Sequence, residues 1–348
     1  HFDKAHTIVS FGADFIGDWQ GGFEKGYAAS RNPDSGHMSY LVQFEANMSL
    51  TGANADKRVV TKPSDQVFAL LNLYNTITGA SLPSKATPVD AHIQEVAAAL
   101  KKSGSHGVVV SGSSDKNAQL IAFAINDALQ SVVFDAANPL HIRKGNDTEL
   151  AQVVADMKAG KVKGLLTYNV DPVYNLSVGT EFAEATKKLD LSVAMSIQND
   201  ATANTTQYSL PITHFLESWG DVMTTGGNFG LVQPTIQKLF NTAQFQEILL
   251  KWSGNTASYH DYLKGYWSSN ILEGTSWNQA LHDGFFTKEF SKKVSKNSIN
   301  ISSVASALVS ATKASAFELT LFSSTALGDG KQANNPWLQE FPDPITRA

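Results

Sequence analysis

A regular alternation of strand-like and helix-like segments is the feature of this sequence that most restricts its fold. Apolar runs such as HTIVSFG (6–12), HGVVVSG (106–112) and LSVAMSI (191–197) are separated by segments with apolar residues at helical spacing. Strands joined through helices by short connections lie parallel in one sheet, with right-handed crossovers. The sequence therefore predicts an α/β protein with doubly wound parallel sheets.

The length of the chain indicates more than one lobe. Its 348 residues exceed what one simple core usually supports. The polar, proline-bearing stretch 81–90 marks a boundary, and no internal repeat stands out. We predict a first α/β lobe over 1–85, a second over 86–240, a helical aromatic segment over 241–315, and the truncated start of a further domain over 316–348.

Local signals place the ends of several elements. Pro63 is expected to open a helix that Gly79 ends, and Asp90 is expected to cap the next helix. Further helices are expected to begin near Ser114 and near Asn146. Additional strands are predicted at 39–46, 58–61, 131–135, 163–169 and 316–323.

Composition excludes several classes of function. The formal net charge of -5 gives no reason to expect a nucleic acid as partner. No apolar run approaches the roughly 20 residues that span a bilayer. The chain has no cysteine, so disulfides, thiolate-bound zinc and cysteine-ligated iron–sulfur clusters are excluded within these residues.

Small or polar residues follow three of the predicted strands. They are Gly12-Ala13-Asp14, Gly112-Ser113-Ser114 and Asn169-Val170-Asp171. Open doubly wound sheets bind ligands outside the carboxyl ends of their strands, so these loops are the candidate ligand loops. None of them completes a dinucleotide fingerprint or a P-loop, and the simpler interpretation is that they are turns.

The stretch TTQYSLPITHFLESWGDVMTTGGNFGLVQP (205–234) has the composition of an active-site wall. His214 and Glu217 are three residues apart, and on a helix they would share a face suited to a metal or a proton exchange. No second histidine stands at metal spacing nearby, so we interpret both residues as structural. The glycine-rich loop 224–230 lacks a following cation, and we interpret it as a turn.

The segment 241–290 is rich in large aromatic residues. Such residues are enriched in protein interfaces, but they also dominate cores, and the sequence leaves both roles open. The residues concerned are Trp252, Tyr259, Tyr262, Tyr266, Trp267 and Trp277.

Three segments, in order, resemble the molybdopterin oxidoreductases of the dimethyl sulfoxide reductase type. They are SYLVQFEANMSLTGANADKRVVTKPSD (39–65), LSVAMSIQNDATANTTQYSLPITHFLESWGD (191–221) and FELTLFSSTALGDGKQANNPWLQEFPDPIT (317–346). The resemblance spans nearly the whole chain, and it implies that 316–348 begin a C-terminal β-barrel domain. The pieces GADFIGDW, SLTGANADKR, LPITHFLESWGD and ANNPWLQEFPDPIT resemble, more narrowly, the B subunits of bacterial alternative complex III.

This narrower resemblance implies a subunit of a respiratory quinol-oxidising complex. Its expected location is the periplasmic face of the bacterial inner membrane. The expected partners are the iron–sulfur domain of the same subunit, multihaem and monohaem cytochrome c subunits, integral membrane quinol-binding subunits and a terminal oxidase. The resemblance places iron–sulfur clusters and haem c in those partners, and no cofactor in the present residues.

Two departures from the enzymes agree with the absence of a molybdenum cofactor. The loop that holds a guanine in the enzymes is one residue shorter in this chain, KPSD, and lacks its glycine, although Asp65 remains. The chain has NFGLVQ where the enzymes usually carry an arginine. A pyrophosphate is bound by cationic groups or N–H donors, so this loss argues against a bound cofactor. The enzymes' metal ligand would lie upstream of His1, so the absence of cysteine does not by itself exclude molybdenum.

We therefore expect a non-catalytic scaffold domain without catalytic residues or metal ligands. Gly12, Asp14, Asp65, Gly112 and His214 are the candidates for a vestigial cleft. One alternative is a working molybdenum enzyme of the polysulfide or dimethyl sulfoxide reductase type. Another is an isolated α/β protein that binds a small ligand and needs no partner.

Overall fold

The computed structural model describes residues 1–19, 21–140, 142, 145–289, 299–343 and 345. Within this part the chain forms two compact units. The first unit combines residues 1–137 with the described residues of 293–348, and the second is built from those of 138–292. The chain thus leaves the first unit and returns to it near its end.

The strands and helices are numbered in chain order. The first unit contains β1 (Thr7–Phe11), α1 (Phe23–Ala29), β2 (Tyr40–Glu45), α2 (Leu50–Ala53), β3 (Lys57–Val60), α3 (Pro63–Thr78), α4 (Asp90–Ser103), β4 (Gly107–Ser111) and α5 (Lys116–Ala128). The second unit contains α6 (Asp147–Lys158), β5 (Gly164–Tyr168), α7 (Pro172–Asn175), α8 (Gly179–Thr186), β6 (Leu191–Ser196), β7 (Tyr208–Pro211), β8 (Gly220–Thr225), β9 (Asn228–Val232), α9 (Phe245–Trp252), α10 (Tyr259–Asn270), α11 (Trp277–Asp283) and β10 (Phe285–Thr287). The first unit then resumes with α12 (Ile301–Ala311) and α13 (Pro336–Gln339). Short 3₁₀ helices span Phe2–Lys4, Pro33–Ser35, Gly104–His106 and Phe215–Glu217.

A parallel sheet with strand order β3-β2-β1-β4 forms the centre of the first unit. Phe11, at the end of β1, is paired with Phe44 on one side and with Ser111 on the other. The strand order reverses between β1 and β4, and this is the point where open α/β sheets bind ligands. The parallel sheet predicted from the alternation of segments is therefore present.

Both faces of this sheet are buried. Successive side chains of a strand point to opposite faces. Val9 and Phe11 pack with side chains of α3, α4, α5 and α12 on one face. Ile8 packs with Phe15 and Tyr27 on the other face. A strand that is apolar at nearly every position requires this two-sided cover, because either face would otherwise expose apolar surface to water.

The expected ends of α3 and the expected start of α6 are confirmed. Pro63 occupies the first position of α3, where its missing N–H costs no hydrogen bond. Gly79 ends α3 in the left-handed region with φ 75°, which a residue with a side chain rarely adopts. The Asn146 side chain caps α6 by accepting a hydrogen bond from the backbone N–H of Glu149.

Two other helix starts differ from the prediction by one or two residues. Asp90 is the first residue of α4 and not its cap, because its carboxylate accepts hydrogen bonds from the backbone N–H and hydroxyl of Thr87. The helix expected near Ser114 begins at Lys116, and its cap is Asp115. In both cases a short polar side chain satisfies a local turn before the helix starts.

The second unit contains a parallel and an antiparallel sheet. The parallel strand order β5-β6-β7 agrees with the prediction. The antiparallel sheet β10-β9-β8 was not predicted. Its β8–β9 hairpin turns at Gly226-Gly227, inside the glycine-rich loop, with Thr225 opposite Asn228. The interpretation of that loop as a turn is confirmed, because two consecutive glycines favour a tight hairpin.

The lobe boundaries in the structure differ from those expected. The boundary after residue 85 separates β1 from β4, which are neighbours in one sheet. The expected helical segment 241–315 is also divided, since α9–α11 lie in the second unit and α12 packs on α3 and α5 of the first. The proline-bearing stretch 81–90 therefore connects two helices of one unit.

Two predicted strands are absent from the described structure. Residues 131–135 form no strand, although Val133 is buried and its carbonyl accepts a hydrogen bond from the amino group of His1. Residues 316–323 form no strand either, and Phe317 and Leu319 are 92% and 82% exposed. Strand-like composition does not produce a strand where no neighbouring strand pairs with it.

The return of the chain to the first unit can be tested at Leu308 of α12, which is 2% exposed and packs in the core beside β1. We expect Leu308→Ala to lower the free energy of unfolding by about 2–5 kcal/mol, the usual cost of truncating a buried leucine. The measurement is denaturant unfolding of the purified chain. The exposed Ser306→Ala, on the same helix, is the control and should change stability by less than about 0.5 kcal/mol. An equal effect of both variants would contradict this packing.

Candidate functional site

Gly12 and Gly112 meet at the carboxyl ends of β1 and β4. Gly12 has φ 68°, and its N–H donates to the carbonyl of Phe44. A methyl group on Gly112 would lie 2.1 Å from the carbonyl oxygen of Gly12. The structure therefore brings these two predicted residues together. Gly112 is required by this close backbone approach, and Gly12 is favoured by its positive φ; both are structural reasons independent of any ligand.

Asp14 holds the loop after β1 to the start of α2. Its Oδ1 accepts hydrogen bonds from the backbone N–H and the hydroxyl of Thr51, at 2.9 and 2.7 Å. The same oxygen accepts from the N–H of Gly17 at 3.2 Å. The hydroxyl oxygen of Thr51 in turn accepts from the N–H of Ile16 at 3.0 Å. We call this arrangement the first aspartate–threonine lock. It satisfies the N–H groups of a loop that would otherwise be available to an anion.

Asp171 forms an equivalent lock in the second unit, after β5. Its Oδ1 accepts from the N–H and hydroxyl of Thr202 at 3.0 and 2.6 Å, and from the N–H of Tyr174 at 3.3 Å. The hydroxyl oxygen of Thr202 accepts from the N–H of Val173 at 3.1 Å. Each contact matches one in the first lock. The third candidate loop of the sequence is therefore also closed by its own side chain.

The backbone before each aspartate matches as well. Asn169 has φ 51° and follows β5 directly, as Gly12 follows β1. The N–H of Asn169 donates to the carbonyl of Met195 in β6, as that of Gly12 donates to Phe44 in β2. A non-glycine residue in this region is uncommon, and asparagine is among those that tolerate it best.

A further hydrogen bond extends the match between the two segments to the other end of each sheet. The N–H of Leu41 in β2 donates to the Asp56 carboxylate at 2.8 Å. The N–H of Ser192 in β6 donates to the Gln207 side chain at 3.2 Å. Asp56 and Gln207 each lie five residues after the threonine of their lock. The segments β1–β3 and β5–β7 are thus two copies of one supersecondary unit, a repeat that the sequence did not reveal.

The loop after β4 is closed by its own side chains. The Ser111 hydroxyl accepts from the N–H of Ser113, and the Ser113 hydroxyl accepts from the N–H of Asp115. The Asp115 carboxylate accepts from the N–H of Asn117, and the Gln119 amide donates to the carbonyls of Ser111 and Ser113. These bonds use the N–H groups of Ser113 and Asp115 in the loop and that of Asn117 in the first turn of α5, so a phosphate would have to compete for them.

The start of α3, which contains the KPSD loop, binds a carboxylate from the far end of the chain. The N–H and hydroxyl of Ser64 donate to Glu318 at 2.8 and 2.6 Å. The Ser64 hydroxyl, with the N–H groups of Ser64 and Ser315, holds the pKa of Glu318 below its ordinary 4.5, although burial opposes this. Asp65 lies next to Ser64 in the first turn, where the helix dipole favours negative charge. An acidic side chain of the protein thus occupies this helix end.

His214 and Glu217 form a capping box on a 3₁₀ helix. The Glu217 carboxylate accepts from the N–H groups of His214 and Leu239, at 3.1 and 3.0 Å, and these bonds hold the pKa of Glu217 below its ordinary value. The His214 ring nitrogen Nδ1 accepts from the N–H of Leu216 at 3.3 Å. Both side chains are used to satisfy backbone groups, so the structural interpretation of this pair is confirmed.

The aromatic residues of the second unit divide into two groups. Trp267 is fully buried with Trp277 and Tyr259, and its indole N–H donates to Asp221 at 2.9 Å. Burial, together with the Asp221 carboxylate, raises the pKa of the Tyr259 phenol to about 12. Trp252, Tyr262 and Tyr266 are 54%, 49% and 51% exposed. Half of the group thus forms core, and the other half remains available at the surface.

Sequence reasoning missed several residues of this region. Thr51 and Thr202 complete the locks, and Glu318 occupies the start of α3. The available sequence signal for the locks was a glycine or asparagine directly after a strand, followed two residues later by an aspartate, as in Gly12–Asp14 and Asn169–Asp171. No signal indicated Glu318, because 254 residues separate it from Ser64.

The described residues offer little for metal or membrane chemistry. Among them, no group of three or more His, Asp or Glu side chains is arranged to hold a metal ion. None of the described helices is both long and apolar enough to cross a membrane. Gly12, Asp14 and Gly112 thus lie in hydrogen-bonded loops at the carboxyl ends of parallel strands, and Asp65 lies in the first turn of α3.

The fold is similar to that of a solved protein structure. Acetylene hydratase from Pelobacter acetylenicus matches this structure with a TM-score of 0.56, over 87% of this chain and 55% of that protein. The two sequences are 11% identical, so the match concerns the fold. No protein-family model matches the chain.

The chain also resembles a protein of known name in its sequence. The chain is 25% identical, over 259 residues, to the menaquinone reductase molybdopterin-binding-like subunit of Nitratidesulfovibrio vulgaris (strain Hildenborough). The match takes in 70% of this chain and 37% of the relative, so the chain spans well under half of the relative's length. The expected likeness to molybdopterin oxidoreductases is therefore supported, and the narrower likeness to alternative complex III stays a prediction.

The two locks can be tested by removing a hydroxyl without changing side-chain volume. Thr51 and Thr202 are fully buried. We expect Thr51→Val and Thr202→Val each to lower the free energy of unfolding of their unit by about 1.5–3 kcal/mol, the range for a hydrogen bond to a charged group. Thermal or denaturant unfolding measures this. The exposed Thr78→Val should stay within about 0.5 kcal/mol, and an effect no larger than that in the lock variants would refute the role of the hydroxyls.

The contact between Ser64 and Glu318 predicts a pH dependence. Because the pKa of Glu318 is lowered in the folded chain, the contact stabilises it fully above pH 4.5, and this stability is lost as the pH falls through the lowered pKa. We expect the carboxyl carbon NMR signal of Glu318 to titrate below 4.5, and Ser64→Ala to raise its midpoint. Ser310→Ala, on the exposed side of α12, should leave the midpoint unchanged. A midpoint that is the same in wild type and Ser64→Ala would exclude the contact.

Proposed function

We propose that this chain is a non-catalytic, cofactor-free docking domain of a respiratory quinol-oxidising complex of the alternative complex III type. One observation carries the proposal. In the loops after β1, β4 and β5 and at the start of α3, several backbone N–H groups that could bind an anion already donate to side chains of the chain itself. Three of those side chains are the carboxylates of Asp14, Asp171 and Glu318.

The electrostatics of these places do not fit a pterin nucleotide. A pyrophosphate is bound by free backbone N–H groups, helix N-termini or cations. A carboxylate in the same place competes for the donors and repels the anion. An anion bound at any one of these places would have to displace the carboxylate that accepts the hydrogen bonds there. The residues present therefore do not fit the cofactor of the enzymes that the sequence resembles.

The sequence relative supports the respiratory part of the proposal. Its name assigns it to a menaquinone reductase and describes it as molybdopterin-binding-like. We infer that the present chain likewise serves a quinone-linked complex, at the periplasmic face of the inner membrane. Its partners would be the iron–sulfur domain, the haem c subunits and the membrane quinol-binding subunits. These partners would carry the electrons, and this domain would hold them at the short separations that electron transfer requires.

Elemental and pterin analysis of the intact purified complex tests the proposal. Molybdenum and tungsten are measured by mass spectrometry, oxidised pterin by fluorescence, and iron and haem in the same sample. We expect iron and haem at several per complex, and molybdenum, tungsten and pterin far below one per complex. A known molybdopterin enzyme carried through the same preparation controls for loss of the cofactor.

The other outcomes decide between the alternatives. Roughly one molybdenum or tungsten per complex, with pterin, would refute the cofactor-free domain and identify a working enzyme. If the chain isolated from its native membranes carries no iron, haem or membrane subunits, the docking role is refuted and a protein that binds a small ligand remains.

A further inference from the structure

The two copies of the supersecondary unit differ in how one face of the sheet is covered. In the first copy this face is closed. Its side chains are between 0% and 6% exposed: Val9, Phe11, Val42, Phe44 and Val59. Helix α4 packs on β1 and β4, and helix α3 packs on β2. The covering side chains of α4 follow helical spacing: Ile93, Val96, Ala97 and Leu100.

The lock contacts fix which residues of the second copy correspond. Aligning Gly12 with Asn169 and Phe44 with Met195 places the counterparts of the closed face at Leu166, Tyr168, Val193, Met195 and Leu210. Leu166 and Tyr168 are 46% and 44% exposed, where their counterparts Val9 and Phe11 are 0% and 2% exposed. The same kind of apolar face is therefore partly open in the second copy.

Among the described residues, the short helix α9 covers part of this face in the second copy. Ile248 of α9 packs with Val193 and Met195, and Phe245 stacks on Tyr168. Beyond α9, the face continues with two further exposed apolar residues. Leu191 lies two residues before Val193 on β6 and so points to the same face. Tyr208 of β7 is paired with Val193. We call Leu166, Tyr168, Leu191 and Tyr208 the open sheet face.

The difference between the copies arises from the segment after the third strand of each. After β3 the chain enters α3 at Pro63 and covers its own sheet. After β7 it enters the 3₁₀ helix of His214 and the antiparallel hairpin β8–β9. In the described part of the chain, the helices that would complete the cover are thus replaced by other structure.

We propose that the open sheet face binds an amphipathic helix of a partner subunit, in the place that α4 takes in the first copy. Parallel sheets are covered on both faces, because their strands are apolar throughout. On the matched face of the first copy the cover is a helix, α4, with apolar residues at positions i, i+3, i+4 and i+7, and we expect the same kind of cover on the open sheet face. An apolar cleft of about 350 Å3, lined by Leu210, Ile248 and Trp252 among others, adjoins the face and can take one large side chain. The inference rests on the proposed docking function and names its surface.

The absence of cysteine from this chain makes the test direct. Leu166→Cys and, in a second variant, Leu191→Cys each introduce one thiol on the open sheet face. Leu150→Cys, at an exposed leucine of α6, is the matched control. The rate of maleimide labelling is measured for the chain purified on its own and for the complex purified from membranes. We expect labelling of both face variants to be about tenfold or more slower in the complex, because an interface core excludes water. The control rate should be unchanged.

A photo-crosslinker attached to the Leu166→Cys variant then identifies the occupant. We expect adducts in one partner subunit at positions three, four or seven residues apart, which indicate one face of a helix. Adducts at every second residue would indicate a strand and would overturn the proposal. A concentration-dependent dimer of the isolated chain with slowed labelling would overturn it in favour of a second copy.

The two proposals fail in different ways. If the chain purifies with its partners but both face variants label as fast as in isolation, the open sheet face is not the docking surface and the docking function stands. If no partner purifies with the chain, the docking function fails as well.

Discussion

The structure depends on one interaction that occurs twice, a buried threonine held by an aspartate at the end of a parallel strand. The first strand of each copy ends in a left-handed residue, and the backbone then turns away from the sheet. The carboxylate of the aspartate two residues later needs hydrogen-bond donors from the protein, because burying a carboxylate without them costs free energy. The threonine supplies two donors and accepts one in return. This exchange fixes the path from the first strand to the segment that leads into the third.

The locks also decide what the strand ends can do. In an open α/β sheet the carboxyl ends of the strands are where backbone N–H groups are free and ligands bind. In this protein the same geometry is kept, but Asp14 and Asp171 accept the hydrogen bonds that an anionic ligand would accept. The contact of Glu318 with Ser64 repeats this at the start of α3. The architecture of the strand ends can therefore be retained while side chains of the chain occupy positions that suit an anion.

Much of the first unit could be predicted from local pattern, because local pattern determines it. Pro63 and Gly79 bound α3 through their own backbone preferences, and β1 and β4 are apolar at nearly every position because both faces are buried. The contacts between distant residues could not be predicted in this way. Residues 316–323 have the composition of a strand, yet they form none and contribute Glu318 to a helix end instead. The two prolines of residues 81–90 suggested a boundary there. The pairing of β4 with β1 is a contact between residues far apart in the sequence, and the prolines give no information about it.

The internal repeat explains why one chain contains both a closed and an open sheet. The copies share three parallel strands, the lock and the left-handed residue before it, and the segments that follow the third strand differ. Whichever helix comes after that strand determines whether the apolar face is buried by the chain itself. In the first unit α3 and α4 supply this cover, and Val9 is fully buried. In the second unit the chain instead builds an antiparallel sheet around Trp267, and Leu166 is left half-exposed. The two copies thus share a frame, and the segment after the third strand determines which apolar face stays open.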